Sequence, residues 1–196
     1  MRKSILFLLS IVSLLSCSDK RALIDGADDV RYYIGRYFIP DKVYIYPYST
    51  NNCFYFHLDM GDRRYISLGE NPAEFKKLAK EYGETGEKVF TLWHPPVMKP
   101  YNILQLKVYK KQDGKMIDVS DIVEIEYRSY FKIISSKYTL KDVEYLSRKI
   151  SELTPHDLKW LPDDFQVVLS KMDAGEYYLV VTLADGKELS VELKKT

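Results

Sequence analysis

Apolar residues crowd the start of the chain and alternate with polar ones at its end. Ile5 to Leu15 holds only two polar residues, Ser10 and Ser13, whereas Glu188 to Leu193 changes character at every position. The second pattern is that of a strand with one buried face. It follows Tyr177 to Leu183, and a three-residue Ala184-Asp185-Gly186 loop with Gly186 in the left-handed region sets the register of the pair. Val181 then meets Leu189, Leu179 meets Val191 and Tyr177 meets Leu193. A two-residue turn would mix apolar and polar faces.

Further strands are expected at Val43 to Tyr48, Phe54 to Asp59, Tyr65 to Leu68, Lys88 to Trp93, Ile103 to Lys110, Ile122 to Ile134 and Phe165 to Leu169. The spacing places Met60-Gly61-Asp62-Arg63 in a tight hairpin between the second and third of the three strands that open the series. Helical spacing appears at Val30, Tyr33, Ile34, Tyr37 and Phe38, ahead of Pro40, with Asp25, Asp28 and Asp29 near the positive end of the dipole. Asn71-Pro72-Ala73-Glu74 opens a helix with a Phe75, Leu78, Ala79, Tyr82 stripe and a Gly83 stop. Thr139 and Asp142 open another with Leu140, Val143, Leu146, Ile150 and Leu153 on one face, and Thr154-Pro155-His156-Asp157 caps a short one.

These elements predict an α+β, β-rich fold. Three strands, a helix and two strands over residues 41–112 resemble a five-stranded barrel of the OB type. The turn Gln112-Asp113-Gly114-Lys115 ends that unit, and residues 113–196 form a smaller sandwich-like or α+β domain. The last hairpin, entered through Gly175-Glu176-Tyr177, resembles the closing strands of immunoglobulin-like sandwiches, so a single such sandwich with helical insertions is the alternative.

The apolar opening is an address. Met1-Arg2-Lys3 is basic, and eleven residues cover roughly 17 Å as a helix, too little for a bilayer core of about 30 Å. Residues 1–16 therefore read as a signal peptide. Leu14-Leu15-Ser16-Cys17 resembles the lipobox of bacterial lipoproteins. That resemblance implies a diacylglycerol thioether on Cys17 and an acylated amine of the palmitate kind, with the membrane as partner and residues 17–40 as tether and short helix. Ser18 after the cysteine favours the outer membrane, and Ser18-Asp19-Lys20 resembles the export tags of surface lipoproteins. With the closing hairpin, these features make the chain similar to small lipoproteins of Bacteroidota, located at the cell envelope and exposed at the surface.

Composition narrows the partners. The 196 residues carry 29 basic and 28 acidic side chains, and removing residues 1–16 takes away Arg2 and Lys3. No basic excess remains to neutralise a phosphate backbone, so nucleic acid is excluded as a partner. With Cys17 acylated, Cys53 has no disulfide partner, and its strand-like setting reads as an inert thiol.

Catalytic chemistry finds little support. His57, His94 and His156 share no metal-ligand spacing, and no cofactor, metal or catalytic motif is present. His57-Leu58-Asp59 puts two polar groups on one strand face without a nucleophile beside them, and Asp163-Asp164 reads as turn-forming. The most distinctive use of the 17 Tyr is Val43-Tyr44-Ile45-Tyr46-Pro47-Tyr48. Tyr44, Tyr46 and Tyr48 occupy alternate positions and make one aromatic face, suited to stacking on a sugar or peptide unless the Val30 to Phe38 segment covers it. Trp93-His94-Pro95-Pro96 and Tyr127-Arg128-Ser129-Tyr130 are similar candidates. The expected function is a non-enzymatic binding or accessory lipoprotein, for glycan or a partner surface protein. An envelope assembly component and a hydrolase are the alternatives.

Overall fold

A computed structural model describes residues 32–86, 97–131, 134 and 144–196. The chain is β-rich α+β. Twelve strands are described: β1 (Ile34–Phe38), β2 (Lys42–Ile45), β3 (Cys53–Asp59), β4 (Ile66–Ser67), β5 (Val97–Pro100), β6 (Ile103–Gln112), β7 (Lys115–Asp118), β8 (Glu124–Ser129), β9 (Glu144–Lys149), β10 (Asp164–Val168), β11 (Gly175–Leu183) and β12 (Glu188–Lys195). Helix α1 (Pro72–Glu81) lies between β4 and β5, and α2 (Pro155–Trp160) between β9 and β10.

The strands form three open sheets, ordered β4-β1-β5, β2-β3-β10-β8-β9 and β12-β11-β6-β7. Period-two patterning explains how the two larger ones pack. Phe54, Phe56 and Leu58 of β3, Phe165 and Val167 of β10, and Ile125 and Tyr127 of β8 share one buried core with Leu106 and Val108 of β6, Tyr177, Leu179, Val181 and Leu183 of β11, and Leu189 and Leu193 of β12. Phe56 and Phe165 stack across the β3–β10 pair, centroids 5.5 Å apart. A second cluster joins Tyr37 of β1 to Phe75, Leu78 and Ala79 of α1, Tyr82 and Trp160.

The closing hairpin has the expected register, Val181 opposite Leu189, Leu179 opposite Val191 and Tyr177 opposite Leu193, with Gly186 at φ 84°. Helix α1 begins at Pro72, buries Phe75, Leu78 and Ala79, and stops at Gly83 with φ 79°, although Asn71 makes no side-chain cap bond. Thr154 and Asp157 form the capping box of α2.

Four expectations are corrected. First, among the described residues of 41–112 no OB-like barrel forms: their strands are shared among all three sheets, and none closes. The turn at Asp113-Gly114 is the tip of the β6–β7 hairpin, and both larger sheets draw strands from either side of it. Second, Ile34–Phe38 is a strand. Tyr37 faces α1 while Phe38 faces the main core, and a strand buried on both sides loses its alternation and imitates an apolar helix. Third, Glu144–Lys149 is an edge strand paired with β8, followed by a 3-10 turn; Ile150 is buried in the core and Leu146 and Leu153 pack against it from this strand and turn rather than from one helix face. Fourth, β3 and β4 make no hairpin, because β4 pairs with β1, although Gly61 does turn the chain there with φ 61°. Cys17, Asp25, Asp28, Asp29, Val30, the Lys88 to Trp93 strand, Trp93-His94-Pro95-Pro96, Thr139, Leu140, Asp142 and Val143 lie outside the described residues.

Candidate binding cleft on the five-stranded sheet

The outward face of the β2-β3-β10-β8-β9 sheet carries two rows of side chains that cross the strands. In one, Tyr44 lies opposite His57, His57 opposite Asp164, and Arg128 opposite Tyr145. In the next, Tyr55 lies opposite Gln166, Gln166 opposite Glu126, and Glu126 opposite Ser147. Alternation places these outward because their neighbours Phe54, Phe56, Phe165, Ile125 and Tyr127 go to the core. Aromatic rings stand at the flanks, and polar groups occupy the middle.

On the β2–β3 side the chain leaves the ladder after Tyr46, whose backbone N–H still donates to Tyr55 O, and Pro47 turns Tyr48 back over the sheet. Tyr46 and Tyr48 stack with centroids 5.1 Å apart and planes inclined by 18°. Tyr48 also meets Tyr55 at 4.8 Å, and Tyr46 meets His57 at 5.8 Å. Opposite them the Arg128 guanidinium sits 5.5 Å above the Tyr145 ring. Between the two walls lies a cleft of about 380 Å³, floored by Gln166, Glu126, Ser147 and Asp164. Such a volume suits a small ligand.

The floor is partly occupied by its own contacts. The Cys53 thiol donates to Gln166 Oε1 at 2.9 Å, which leaves the Gln166 amide N–H groups without an acceptor among the described residues. Burial, then the charge of Glu126, pushes the Cys53 thiol up, so it is a poor nucleophile. Burial likewise raises the Tyr46 phenol, with Asp164 adding to it. Both stay protonated at neutral pH and act as hydrogen-bond donors.

Of the expected aromatic face, Tyr44 and Tyr48 are exposed, at 46% and 60%, and Tyr46 is half-buried against Tyr48 and His57. Tyr46 and Tyr48 line the cleft, whereas Tyr44 stands at the end of its row outside the lining. Sequence reasoning missed Tyr55, Gln166, Glu126 and Tyr145. The alternation of Cys53 to Asp59 could have revealed Tyr55, but Tyr145 was hidden by the helical spacing of its segment. Of Tyr127-Arg128-Ser129-Tyr130, exposed Arg128 and buried Tyr127 line the cleft, and Ser129 and Tyr130 do not.

The histidines do not converge on shared chemistry among the described residues. His57 Nδ1 is buried without a hydrogen bond, 4.0 Å from Asp163 Oδ2, while His156 packs edge-on against Phe131 at α2. His94 lies outside the described residues. Asp163 and Asp164 separate as a strand begins between them: burial raises the Asp163 carboxyl, with the Asp164 charge adding to it, and Asp164 is exposed. Among the described residues no three His, Cys, Asp or Glu side chains gather as a metal site would require, and no helix is long and apolar enough to cross a membrane.

A larger depression of about 560 Å³ lies beside β6 and β7. Three of its polar groups already pair with one another, Lys107 with Asp118 at 3.3 Å and Asp118 with the Ser120 hydroxyl at 2.6 Å. It offers a ligand less than the tyrosine cleft does. The chain matches no protein-family model, no curated protein and no solved structure. The chemistry of the cleft therefore rests on its own geometry.

Proposed function

We propose that this chain is a lipid-anchored protein of the bacterial cell envelope that binds glycan in the tyrosine cleft of the five-stranded sheet. The observation that carries the reading is the facing of two aromatic walls, Tyr46-Tyr48-Tyr55 and Tyr145 with Arg128, across a polar floor. A sugar ring presents an apolar C–H face and a rim of hydroxyls. Rings of tyrosine match the first at low entropic cost, and Gln166, Glu126 and Ser147 match the second.

The anchor belongs to the reading because a binding module is useful where it is held. Cys17, at the end of Leu14-Leu15-Ser16-Cys17, is the attachment point, and Ser18-Asp19-Lys20 favours an outer-membrane position with the folded part facing outward. Each buried methylene of the acyl chains contributes about 0.8 kcal/mol, so several chains hold the protein stably.

Two experiments test the parts separately. A glycan array probed with the full chain in detergent is expected to give saturable binding that Tyr48→Ala removes; an array with no response would refute the glycan reading. Metabolic labelling with a palmitate analogue is expected to mark the wild type and not Cys17→Ser. Equal labelling of both would refute the anchor.

A further inference from the structure

The two walls constrain the ligand beyond its being a glycan, and that constraint rests on the glycan reading. Of the tyrosines of one wall, Tyr55 comes from β3 and Tyr46 and Tyr48 from the segment between β2 and β3, whereas Tyr145 comes from β9, at the far edge of the sheet. Tyr48 leans on Tyr55 of β3, and strands lie about 4.8 Å apart, so β3 and β9, three spacings apart, are separated by roughly 14 Å. One sugar ring cannot stack on Tyr48 and Tyr145 at once. A ligand that uses both must run across the strands, over Gln166 and Glu126.

Charge then selects among glycans. Arg128 lies over the Tyr145 ring, and in the lining its single positive charge stands against the two negative charges of Glu126 and Asp164. Farther along the same face Glu124 is paired with Lys171 at 3.0 Å and Lys149 lies 3.8 Å from Glu152. Glu126, exposed at the centre of the floor, has no ion-pair partner among the described residues. The middle of the cleft thus carries one uncompensated negative charge. A carboxylate-bearing sugar placed there meets repulsion, while hydroxyl or amine groups find an acceptor.

We infer that the cleft takes a non-acidic oligosaccharide, neutral or amino-bearing, lying across the strands with its ends on Tyr48 and Tyr145 and its centre on Gln166 and Glu126.

The test is titration of the full chain in detergent, at low salt, with gluco-, manno-, xylo- and N-acetylglucosamine oligomers, glucosamine oligomers and galacturonate oligomers, each from monomer to tetramer. Affinity is expected to climb with length for a non-acidic series and to be about tenfold lower for the galacturonates, a gap that salt narrows. Glu126→Gln is expected to shrink that ratio. If a glycan binds but its monomer binds as tightly as its tetramer, or galacturonates bind as well as neutral oligomers, this inference fails while glycan binding stands. If no oligomer binds, both fail together.

Discussion

The ring of Tyr46 lies flat against that of Tyr48, centroids 5.1 Å apart and planes 18° from parallel, and Tyr48 in turn leans on Tyr55 at 4.8 Å. Three rings from β3 and the segment that leads into it thereby hold one another without being covered by a further element among the described residues. Packed tyrosines left open to solvent form a surface already ordered before a ligand arrives, which lowers the entropic cost of binding.

Tyr48 and Tyr145 are exposed at 60% and 73%, so their removal is expected to act on binding rather than on stability. Tyr48→Ala and Tyr145→Ala should each weaken glycan affinity about tenfold, or about 1.4 kcal/mol, and change unfolding free energy by less than about 0.5 kcal/mol. Calorimetric titration and urea denaturation of the same preparations check both halves. A large loss of stability with binding retained would contradict the assignment.

Lys99 of β5 is 1% exposed, donates to the Leu161 carbonyl, and lies 5.7 Å from the Trp160 ring. Burial lowers its amine well below the usual 10.5, and the Asp163 charge opposes this only in part. The unfolded chain therefore binds a proton that the folded one refuses, at every pH between the folded value and 10.5. Stability should rise with pH across that window by up to about 1.4 kcal/mol per unit from this group. Lys99→Met should flatten the rise, as read by urea unfolding at neutral pH and again below the range where tyrosines ionise. Parallel wild-type and variant profiles would show that Lys99 is not the source.

Much of this fold was legible in the alternation of single residues, and the failures have physical causes. The β11–β12 register could be read because each strand has one apolar face and Gly186 suits the left-handed bend. β1 could not, since Tyr37 and Phe38 are both buried on opposite sides. β9 lies at a sheet edge where only Leu146 points to the core, too few positions to impose a period of two. The pairing of β3 with β10 joins residues more than a hundred positions apart, which no local pattern encodes. The tyrosines at 44, 46 and 48 were visible for the same reason as the hairpin. Gln166 and Glu126 look like ordinary solvent-facing residues until the sheet order puts them side by side.

Asp157 gathers the Thr154 backbone N–H at 2.9 Å, the Thr154 hydroxyl at 2.6 Å, the Tyr127 hydroxyl at 3.0 Å and Arg148 Nε at 3.1 Å. Burial opposes its charge, but the hydrogen bonds from Thr154 and Tyr127 and the Arg148 charge outweigh it and hold the carboxyl below 3.8. Its contribution is present at neutral pH and is lost as pH falls through the folded value. Asp157→Asn should cost about 2 to 3 kcal/mol at pH 7 and blunt acid unfolding. Thr154→Ala should cost about 1 kcal/mol. Denaturation midpoints at pH 7 and pH 3 supply the check, and equal losses at both would contradict the electrostatic part.

Glu84 anchors the start of β1: Oε2 accepts from the Tyr33 N–H at 2.6 Å and Oε1 from the Ile34 N–H at 2.7 Å, with the side chain 5% exposed. Glu84→Ala leaves two buried amides without that acceptor and should destabilise by about 2 to 4 kcal/mol. Amide exchange at Tyr33 and Ile34 is expected to accelerate first. Unchanged protection there would contradict this role.

The central claim, that the open tyrosine cleft is where a glycan sits, is tested most directly by NMR of the full chain with labelled tyrosine rings, titrated with the oligosaccharide that binds best. The rings of Tyr46, Tyr48, Tyr55 and Tyr145 should shift together along one saturation curve while buried Tyr37 and Tyr177 stay in place. Saturable binding that leaves those four rings unmoved would contradict it.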